Sequence, residues 1–600
     1  MGRLPGMAYS SGITRSQQVQ FGGLRHHPNA GDGEIYDMEN MSARDYPLLR
    51  SRDKRRNGGE LVSATEMFFD NHAMWYVNED GWLWYKRALL ILSVAYIGAG
   101  ETKFIRFGDR IVLMPAKKLV QAKYTVVGTA ANPAALPTSA EKGTAYVINT
   151  NNDPQAPEWS LFVWTGDEWD SMGAWVVSME AELTATKITI SDGTIYGAAA
   201  TANTLTINLP ASADLAKAGF QAGDAVEIDG LTTEPDNNKI AIIREIGSKS
   251  IAFSDYCFKI PLSASGEKQT SYSETGTITL RRSVPDMDVC FEFENRLWGA
   301  DKKEIFASAL GDPTNFYVFD GLSTDSWYVE LQTRGEITGG IGWHYPTFFR
   351  EGYILRIYGE DATTFQTSEI LAPGVAHGMQ HSLGAAGGLL FYYSPQGMMA
   401  YDGDYPQDLQ QVFGPSEYSG GLAQSDGTDY YIQLTPNQDG PRIYHYDGLR
   451  GIWTVEDSPN IDSMALTEGA ETLLPSIIAM TAGKELTTLK GPGGPWAENK
   501  AAVESFVEFA DFTMESPNRK AVSKLLLRLS LMGTSVTVKI QYDSSGTWKS
   551  VATLTAAGKR SYYLPVVPHR CDHFRVRIEA TGEWALHSLA IEYYAGSALH

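Results

Sequence analysis

The side chains of this 600-residue chain that are best suited to chemistry are a short run of histidines and a cysteine. His569, Cys571 and His573 stand at positions i, i+2 and i+4, so an extended segment would place all three on one face. Imidazole and thiolate are good zinc ligands, but the nearby sequence offers no fourth ligand, and packing on a strand face explains the spacing more simply. We therefore predict no metal site and no cofactor.

Two acidic turns could supply oxygen ligands to calcium. They are Asp402-Gly403-Asp404 and the segment from Asp426 to Asp429. Neither continues with the glycine and glutamate spacing of an EF-hand loop, and ordinary turn chemistry accounts for both.

A glycosidase is the strongest enzymatic alternative, because some β-propeller glycosidases carry turns of the form Ser-x-Asp-x-Gly-x-x-Trp. The nearest match, Tyr542 to Trp548, has one residue too many between Asp543 and Gly546 and occurs once. Sugar hydrolysis needs two facing carboxylates, and a chain with 71 acidic residues offers no way to choose them without geometry. The chain also lacks a P-loop, a dinucleotide-binding glycine motif and a nucleophile elbow. We predict no catalytic residues and no enzyme.

One dense basic cluster interrupts an otherwise acidic chain of formal net charge −22. Such a cluster could contact phosphate, either of DNA or of a ligand, or an acidic partner protein, and it could equally be a solvated loop. The candidate contact residues are Arg50, Arg52, Lys54, Arg55 and Arg56.

The overall acidity argues against a surface that wraps nucleic acid, although an acidic wall can let DNA slide past. Three widely spaced cysteines without a CxxC pair indicate neither a disulfide framework nor a zinc ribbon. The first residues lack a signal-peptide core, and the longest apolar run, from Ala88 to Gly100, is too short to cross a bilayer. We expect assembly in a reducing cytoplasm without a membrane anchor.

The pattern along the chain predicts an all-β protein. Alternating apolar residues mark strands, for example Val536, Val538 and Ile540, and the best short helix candidate runs over residues 211–222. Aromatic-Asp-Gly turns at Asp320, Asp402 and Asp447 are separated by 82 and 45 residues, close to two periods and one period of a β-propeller blade. We predict a propeller of six or seven blades.

Changes in composition divide the chain into five sections. Residues 1–117 and 286–495 are predicted as the two parts of the propeller, and residues 496–600, after the Gly491–Pro495 linker, as a C-terminal β-sandwich. Residues 118–180 are predicted as an inserted small β-module, and residues 181–285 as an inserted β-barrel-like module. Loops tolerate such insertions.

The amino-acid sequence of one stretch resembles sequences of a known protein family. From Glu294 to Tyr328 the chain reads Asn-Arg-Leu-Trp, then Ser-Ala-Leu-Gly-Asp-Pro, then Asn-Phe, with Trp327 near its end. This is similar to the β-propeller proteins that form the tail nozzle or tail hub of short-tailed bacteriophages. Residues 21–50, 388–403 and the C-terminal segment are similar in the same way, so the resemblance touches about two thirds of the chain.

The resemblance implies a structural virion protein, assembled in the host cytoplasm and located in the virion tail. It implies a homo-oligomeric ring, with a hexamer favoured, that contacts the portal, adaptor and tail fibre proteins. The ring would extend the portal channel and help to retain and then release packaged DNA. A tail fibre or receptor-binding component stays open as the alternative, with Trp159, Trp164 and Trp169 as platforms for host glycans.

Overall fold

The computed structural model describes eleven stretches of the chain, which divide into two compact units: residues 64–371, and residues 1–63 together with 372–600. No helix in these stretches is long and apolar enough to cross a membrane. Most of the predicted linker, residues 492–495, lies outside them. The described stretches are 13–70, 73–150, 158–193, 202–207, 214–253, 257–437, 440–468, 475–491, 497–499, 501–516 and 518–595.

The unit of residues 64–371 contains four antiparallel four-stranded sheets of the kind that form propeller blades. We number them sheets 1 to 4. Sheet 1 has the strands Ala64–Asp70, Ala73–Asn78, Trp82–Arg87 and Leu90–Tyr96, and sheet 2 has Lys103–Phe107, Arg110–Met114, Lys118–Gln121 and Val176–Ser178. Sheet 3 has Val289–Phe293, Arg296–Asp301, Glu304–Ala307 and Trp327–Glu330, and sheet 4 has Gly339–Gly342, Pro346–Arg350, Tyr353–Tyr358 and Gln366–Leu371.

Sheet 3 shows why its strands are mostly apolar between their ends. Successive side chains of a strand point to opposite faces, and both faces of this sheet are covered. Cys290 and Leu297 pack with side chains of sheet 2, whereas Phe291 and Trp298 pack with side chains of sheet 4. Gly340 of sheet 4 must be a glycine, because a Cβ atom there would lie 2.8 Å from Val289.

Two further β-structures are inserted in the same unit. A four-stranded sheet lies between the third and fourth strands of sheet 2, and its first two strands are parallel. A closed six-stranded barrel follows sheet 2. The inserted sheet comprises Val126–Ala130, Ala145–Ile148, Ser160–Trp164 and Trp169–Ala174. The barrel comprises Ala181–Gly193, Ala202–Ile207, Ala225–Asp229, Lys239–Ile246, Ser250–Phe253 and Ser271–Arg282.

The second unit contains three more blade-like sheets, numbered 5 to 7. The last of them is completed by an N-terminal strand, Arg56–Glu60, which pairs with Glu485–Lys490. Sheet 5 has Gly384–Ala386, Leu389–Ser394, Gly397–Tyr401 and Gln407–Asp408, and sheet 6 has Tyr418–Ser425, Asp429–Pro436, Arg442–Asp447 and Ile452–Val455. Sheet 7 has Ile461–Glu468, Pro475–Thr481, Glu485–Lys490, Arg56–Glu60 and Ala497–Glu498.

A β-sandwich completes this unit, and both of its sheets include N-terminal strands. The indole of Trp584 in one sheet donates a hydrogen bond to Ser505, which lies in the other, at 2.9 Å. One sheet comprises Ile13–Gln18, Met41–Ser42, Leu49–Ser51, Lys520–Leu531, Gly558–Pro565, Arg570–Cys571 and Trp584–Ala595. The other comprises Ile35–Glu39, Glu504–Phe509, Ser535–Tyr542, Lys549–Leu554 and Phe574–Thr581.

The predicted fold class is confirmed: the protein is all-β, with blade-like sheets, inserted β-modules and a sandwich. The structure differs from the predicted sections at the start of the chain. Strands between Ile13 and Ser51 pair with the sandwich, whereas residues 1–117 were predicted as propeller. The described part of the predicted helix, residues 214–222, forms turns. The described helices are the α-helical turn Gln410–Phe413 and the 3-10 turns Pro133–Ala135, Pro235–Asn237 and Gln380–Ser382.

Candidate functional site

The basic cluster spans the link between the sandwich and sheet 7. Arg50 lies on the sandwich strand Leu49–Ser51, and Arg56 begins the strand of sheet 7 that lies between Glu485–Lys490 and Ala497–Glu498. Arg52, Lys54 and Arg55 lie between these two strands. The cluster therefore sits where the chain passes from one β-structure of this unit to the other.

Arg52 and Arg55 are paired with two acids that directly follow sheet 6. The Arg55 guanidinium lies 2.5 Å from a carboxylate oxygen of Glu456 and 2.6 Å from one of Asp457. Arg52 lies 3.0 Å from Asp457 and also donates to the amide oxygen of Asn40 at 2.6 Å. Arg55 and Glu456 are buried, so this ion-pair network is part of the interior.

The electrostatics of the two arginines differ although they share Asp457. Burial opposes the charge on Arg55, but Glu456 and Asp457 outweigh it and raise the pKa of this guanidinium. Burial lowers the pKa of Arg52, and the neighbouring charge of Arg55 lowers it further. Arginine stays protonated in proteins, so both side chains are cations whose charge is balanced inside the fold.

Arg50 is balanced closer to the surface. It lies 3.2 Å from Asp45 and 2.9 Å from Asp53, and Asp53 also pairs with Arg44. Such exposed pairs contribute little to stability, but they reduce the positive charge that a phosphate group would meet.

Lys54 is the member of the cluster most open to a partner. It is half-buried, and no hydrogen bond or ion pair connects its ammonium group to another residue in the described stretches. The backbone of Arg56 donates to the hydroxyl of Thr488 at 2.9 Å. Among the predicted contact residues, Arg52 and Arg55 therefore serve the fold, and Arg50 is already paired with surface acids.

A cavity of about 310 Å³ lies beside the cluster, at the small end of the range for ligand pockets. Its wall carries both signs of charge together with amide and hydroxyl groups, so it does not favour a phosphate group in particular. The charged residues of the wall are Arg52, Lys54, Arg55, Asp457, Glu485 and Glu504. Asn40, Asn57, Thr481, Thr487 and Asn499 supply the amide and hydroxyl groups.

The stretch from Glu294 to Tyr328 is built around one buried arginine. Arg296 donates to the backbone oxygen of Ser308 at 2.8 Å, to that of Ser323 at 2.7 Å and to that of Asp325. It thereby anchors both ends of the loop between the last two strands of sheet 3. No role for Arg296 was predicted from the sequence, although a charged residue at the start of an apolar strand can indicate a buried hydrogen-bonding network.

The same stretch also fixes the inserted barrel. Asn315 donates to the carboxylate of Asp224 at 3.2 Å and accepts from the backbone of Ala225 at 3.1 Å. Arg282, on the last barrel strand, lies 2.6 Å from the other oxygen of Asp224. Burial raises the pKa of Asp224, although Arg282 acts in the opposite direction. The polar residues of this stretch thus correspond to scaffold contacts.

The histidine and cysteine run does not form a common face. Cys571 is buried, and burial raises the pKa of its thiol to about 12, whereas His569 is exposed and packs against Tyr542. His573 instead meets two carboxylates, those of Asp543 and Asp572, with ligand atoms within 4.8 Å of one another. The imidazole is already hydrogen bonded, to Asp572 at 2.7 Å and to Ser544 at 2.7 Å.

The acidic turn at Asp426 already holds a cation, which is a lysine. Lys490 of sheet 7 lies 2.5 Å from Asp426 and 2.8 Å from Asp429, so it joins sheets 6 and 7. Burial alone would raise the pKa of Asp429, but His445 and Lys490 lower it to about 2. The other acidic turn is closed by a hydrogen bond from the backbone of Asp404 to Asp402 at 3.0 Å. Both turns thus have structural explanations.

The tryptophans considered as glycan platforms are turned towards protein. Trp164 is buried and meets Trp169 edge to face at 5.4 Å, and Trp169 donates to the backbone of Pro137 at 2.7 Å. Trp159 packs against the core that is shared by sheets 1 and 2 and the inserted sheet. These positions favour a role in the core over sugar stacking.

No protein-family profile and no curated protein sequence matches this chain. Among solved structures, the computationally designed Ika8 protein is 10% identical with a TM-score of 0.29, and the alignment covers 73% of this chain and 99% of that one. BBS1N, solved in complex with ARL6DN, is 11% identical with a TM-score of 0.19, over 58% of this chain and 87% of that one. At such TM-scores neither likeness carries a functional argument.

Proposed function

We propose that this protein is a structural component of a short-tailed bacteriophage virion, the nozzle or hub ring of the tail. Identical subunits form a closed ring, with a hexamer favoured, below the portal and adaptor proteins. The ring extends the channel for DNA and helps to retain the packaged genome until release. Contacts between subunits, rather than a catalytic pocket, carry this function.

The observation that carries the proposal is how the phage-like stretch is used. Its polar residues hydrogen bond within the scaffold. Arg296 donates to three carbonyl groups of one loop, and Asn315 is linked to the barrel by its hydrogen bond to Asp224. A rigid scaffold with satisfied buried polar groups suits a part that bears load and performs no chemistry.

The charges support the same proposal. The chain has a formal net charge of −22, and in its one basic cluster Arg52 and Arg55 are paired with internal acids, whereas Arg50 is paired with acids at the surface. A surface that repels phosphate suits a channel through which DNA must slide without sticking.

Quantitative peptide mass spectrometry of purified phage particles tests the proposal, with the portal protein as the internal standard. A ring subunit is expected at about half the portal copy number or equal to it, because symmetric rings contain fixed numbers of subunits. The major capsid protein serves as a second standard for particle integrity.

Absence of the protein from particles would contradict the proposal. A copy number of a few per particle with the protein at the tail periphery would favour the fibre component. A purified protein that releases reducing sugar from a polysaccharide would restore the glycosidase alternative.

A further inference from the structure

One section of this acidic chain is not acidic. Residues 501–600, which form most of the sandwich, contain 11 lysines and arginines against 9 acidic residues, whereas residues 1–500 contain 38 against 62. Such an asymmetry of charge along a chain suggests a contact with nucleic acid or with another polyanion. The positions of the cations on the sandwich therefore decide whether they form a binding surface.

Two of these cations meet on the outer face of one sandwich sheet. Alternate residues of the strand Lys520–Leu531 are buried, and Arg528 and Ser530 point away from the core. On the neighbouring strand, Ser561 lies opposite Arg528, and Lys559 lies opposite Ser530. Arg528 and Lys559 are therefore diagonal neighbours, with Cα atoms about 7–8 Å apart, so both side chains can reach the same anion.

The strand on the other side completes this surface. Ser588 lies opposite Arg528, and the imidazole of His587 is hydrogen bonded to the hydroxyl of Ser530 at 2.7 Å. Burial lowers the pKa of His587, and the charges of Lys559 and Arg528 lower it further. At neutral pH the imidazole is therefore uncharged, and the two cations carry the charge. We call the surface formed by these six residues the basic sheet face: Arg528, Ser530, Lys559, Ser561, His587 and Ser588.

The two cations of the basic sheet face have no acidic partner in the described stretches. Arg528 and Lys559 are exposed, and neither side chain forms an ion pair or a hydrogen bond there. Glu592 lies on the same side of the sheet but is paired with Lys524 at 3.3 Å. Glu583, just before the strand that carries His587, forms no ion pair with either cation. The charge of the face is thus available to a partner.

We propose that the basic sheet face binds the phosphate backbone of DNA. The side chains of Arg528 and Lys559 contact phosphate oxygens, and the serine hydroxyls beside them donate hydrogen bonds to the same groups. This inference rests on the proposed function, which brings DNA to the protein, and it assigns residues that hold the DNA there.

The chemistry of the face favours phosphate over an acidic protein. Arginine, lysine and serine are among the side chains that contact the DNA backbone, and the exposed Tyr563, two positions after Ser561, adds a phenol hydroxyl. The centre of the face carries small hydroxyl groups, whereas the centre of a protein–protein interface is usually depleted of charge and more apolar. A contact made by two cations is weak and sensitive to salt, so it can hold DNA without preventing its release.

The binding of a short fluorescent DNA duplex to the full-length protein, followed by anisotropy at several salt concentrations, tests the inference. Two phosphate contacts should give a slope of log K against log salt of about −1.8. The double variant Arg528→Gln/Lys559→Gln should weaken binding by about tenfold or more at low salt and remove most of that slope. Both side chains are exposed, so the variant should fold. Lys549→Gln is the control, because Lys549 is an exposed lysine on the other sheet of the sandwich.

Three results would overturn the inference. The wild type does not bind DNA at low salt, the double variant binds as tightly as the wild type, or polyglutamate displaces DNA at equal charge concentration. The last result would identify an acidic protein as the partner. All three would leave the ring in place, whereas absence of the protein from particles would remove the proposed function without changing the binding measured with purified protein.

Discussion

Replacing Glu456 by leucine is expected to destabilise the buried network of Arg52, Arg55, Glu456 and Asp457. The wild-type network has two cations and two anions, and the variant leaves two buried cations on Asp457 alone. Removing one partner of a buried ion pair costs about 3–5 kcal/mol, and the remaining contact of Arg55 with Asp457 places this variant near 3 kcal/mol.

The double variant Arg55→Leu/Glu456→Leu should recover most of that loss. It restores one cation facing one anion, Arg52 and Asp457 at 3.0 Å, and it removes a guanidinium whose Nε has no hydrogen-bond partner. Apolar replacement of a whole buried pair is close to neutral, so we expect the double variant within about 1 kcal/mol of the wild type.

Hydrogen exchange followed by mass spectrometry measures this effect where it occurs, because a protein with several domains does not unfold in one step. Peptides covering residues 49–61 and 452–458 should lose about 150-fold in protection in Glu456→Leu, the equivalent of about 3 kcal/mol. Arg44→Gln is the control, since its pair with Asp53 is exposed and should contribute less than about 1 kcal/mol. The reasoning would be refuted if the double variant lost as much free energy of protection as Arg55→Leu and Glu456→Leu added together, because the charges would then not be coupled.

Three further outcomes are expected. A lysine in the Arg296→Lys variant cannot reach three carbonyl groups, so the variant should lower the free energy of unfolding of this region by about 2–4 kcal/mol. Limited proteolysis should then cut within residues 308–326. The control Lys302→Ala, at an exposed turn, should leave the proteolysis pattern unchanged. Asp429 has a folded pKa of about 2, lowered from 3.8, so it contributes roughly 2 kcal/mol above its unfolded pKa, and this is lost as the pH falls through about 2. Hydrogen-exchange protection of residues 475–491 should fall as the pH drops from 3.8 to about 2 in the wild type, but not in Asp429→Asn. Burial raises the pKa of the Cys290 thiol to about 11 and that of the Cys571 thiol to about 12. Iodoacetamide at pH 8 should therefore modify Cys257 in the native protein, and Cys290 and Cys571 only after unfolding. Rapid labelling of Cys571 in the native protein would contradict its buried position.

The sequence was sufficient to predict the β-structure because its cause is local. The alternation of Val536, Val538 and Ile540 places all three in the core of the sandwich, as the period of a strand requires. The turns at Asp402 and Asp447 both follow the third strand of a sheet, so their spacing of 45 residues is one repeat. Asp320 lies in the long loop after the third strand of sheet 3, so the spacing of 82 residues joins positions that are not equivalent.

The parts that could not be predicted depend on partners far away in the chain. Nothing near Ile35–Glu39 indicates that its pairing strand is Glu504–Phe509. Likewise, the basic cluster reads as a surface feature until Glu456 and Asp457, about 400 residues later, are placed against Arg52 and Arg55. Charge compensation across such distances leaves no local pattern in the sequence.

The pairing of N-terminal strands with the sandwich has a consequence for synthesis. Ser51 and Trp584, which meet in the sandwich, are 533 positions apart, and a ribosome adding about 5–20 residues per second needs roughly half a minute to two minutes to cover that interval. Throughout this time the strands Ile13–Gln18 and Leu49–Ser51 lack their partner Trp584–Ala595, and their unpaired edges are open to other nascent chains on the same messenger. Exchange of these strands between neighbouring chains would join subunits during translation, before any folded monomer exists.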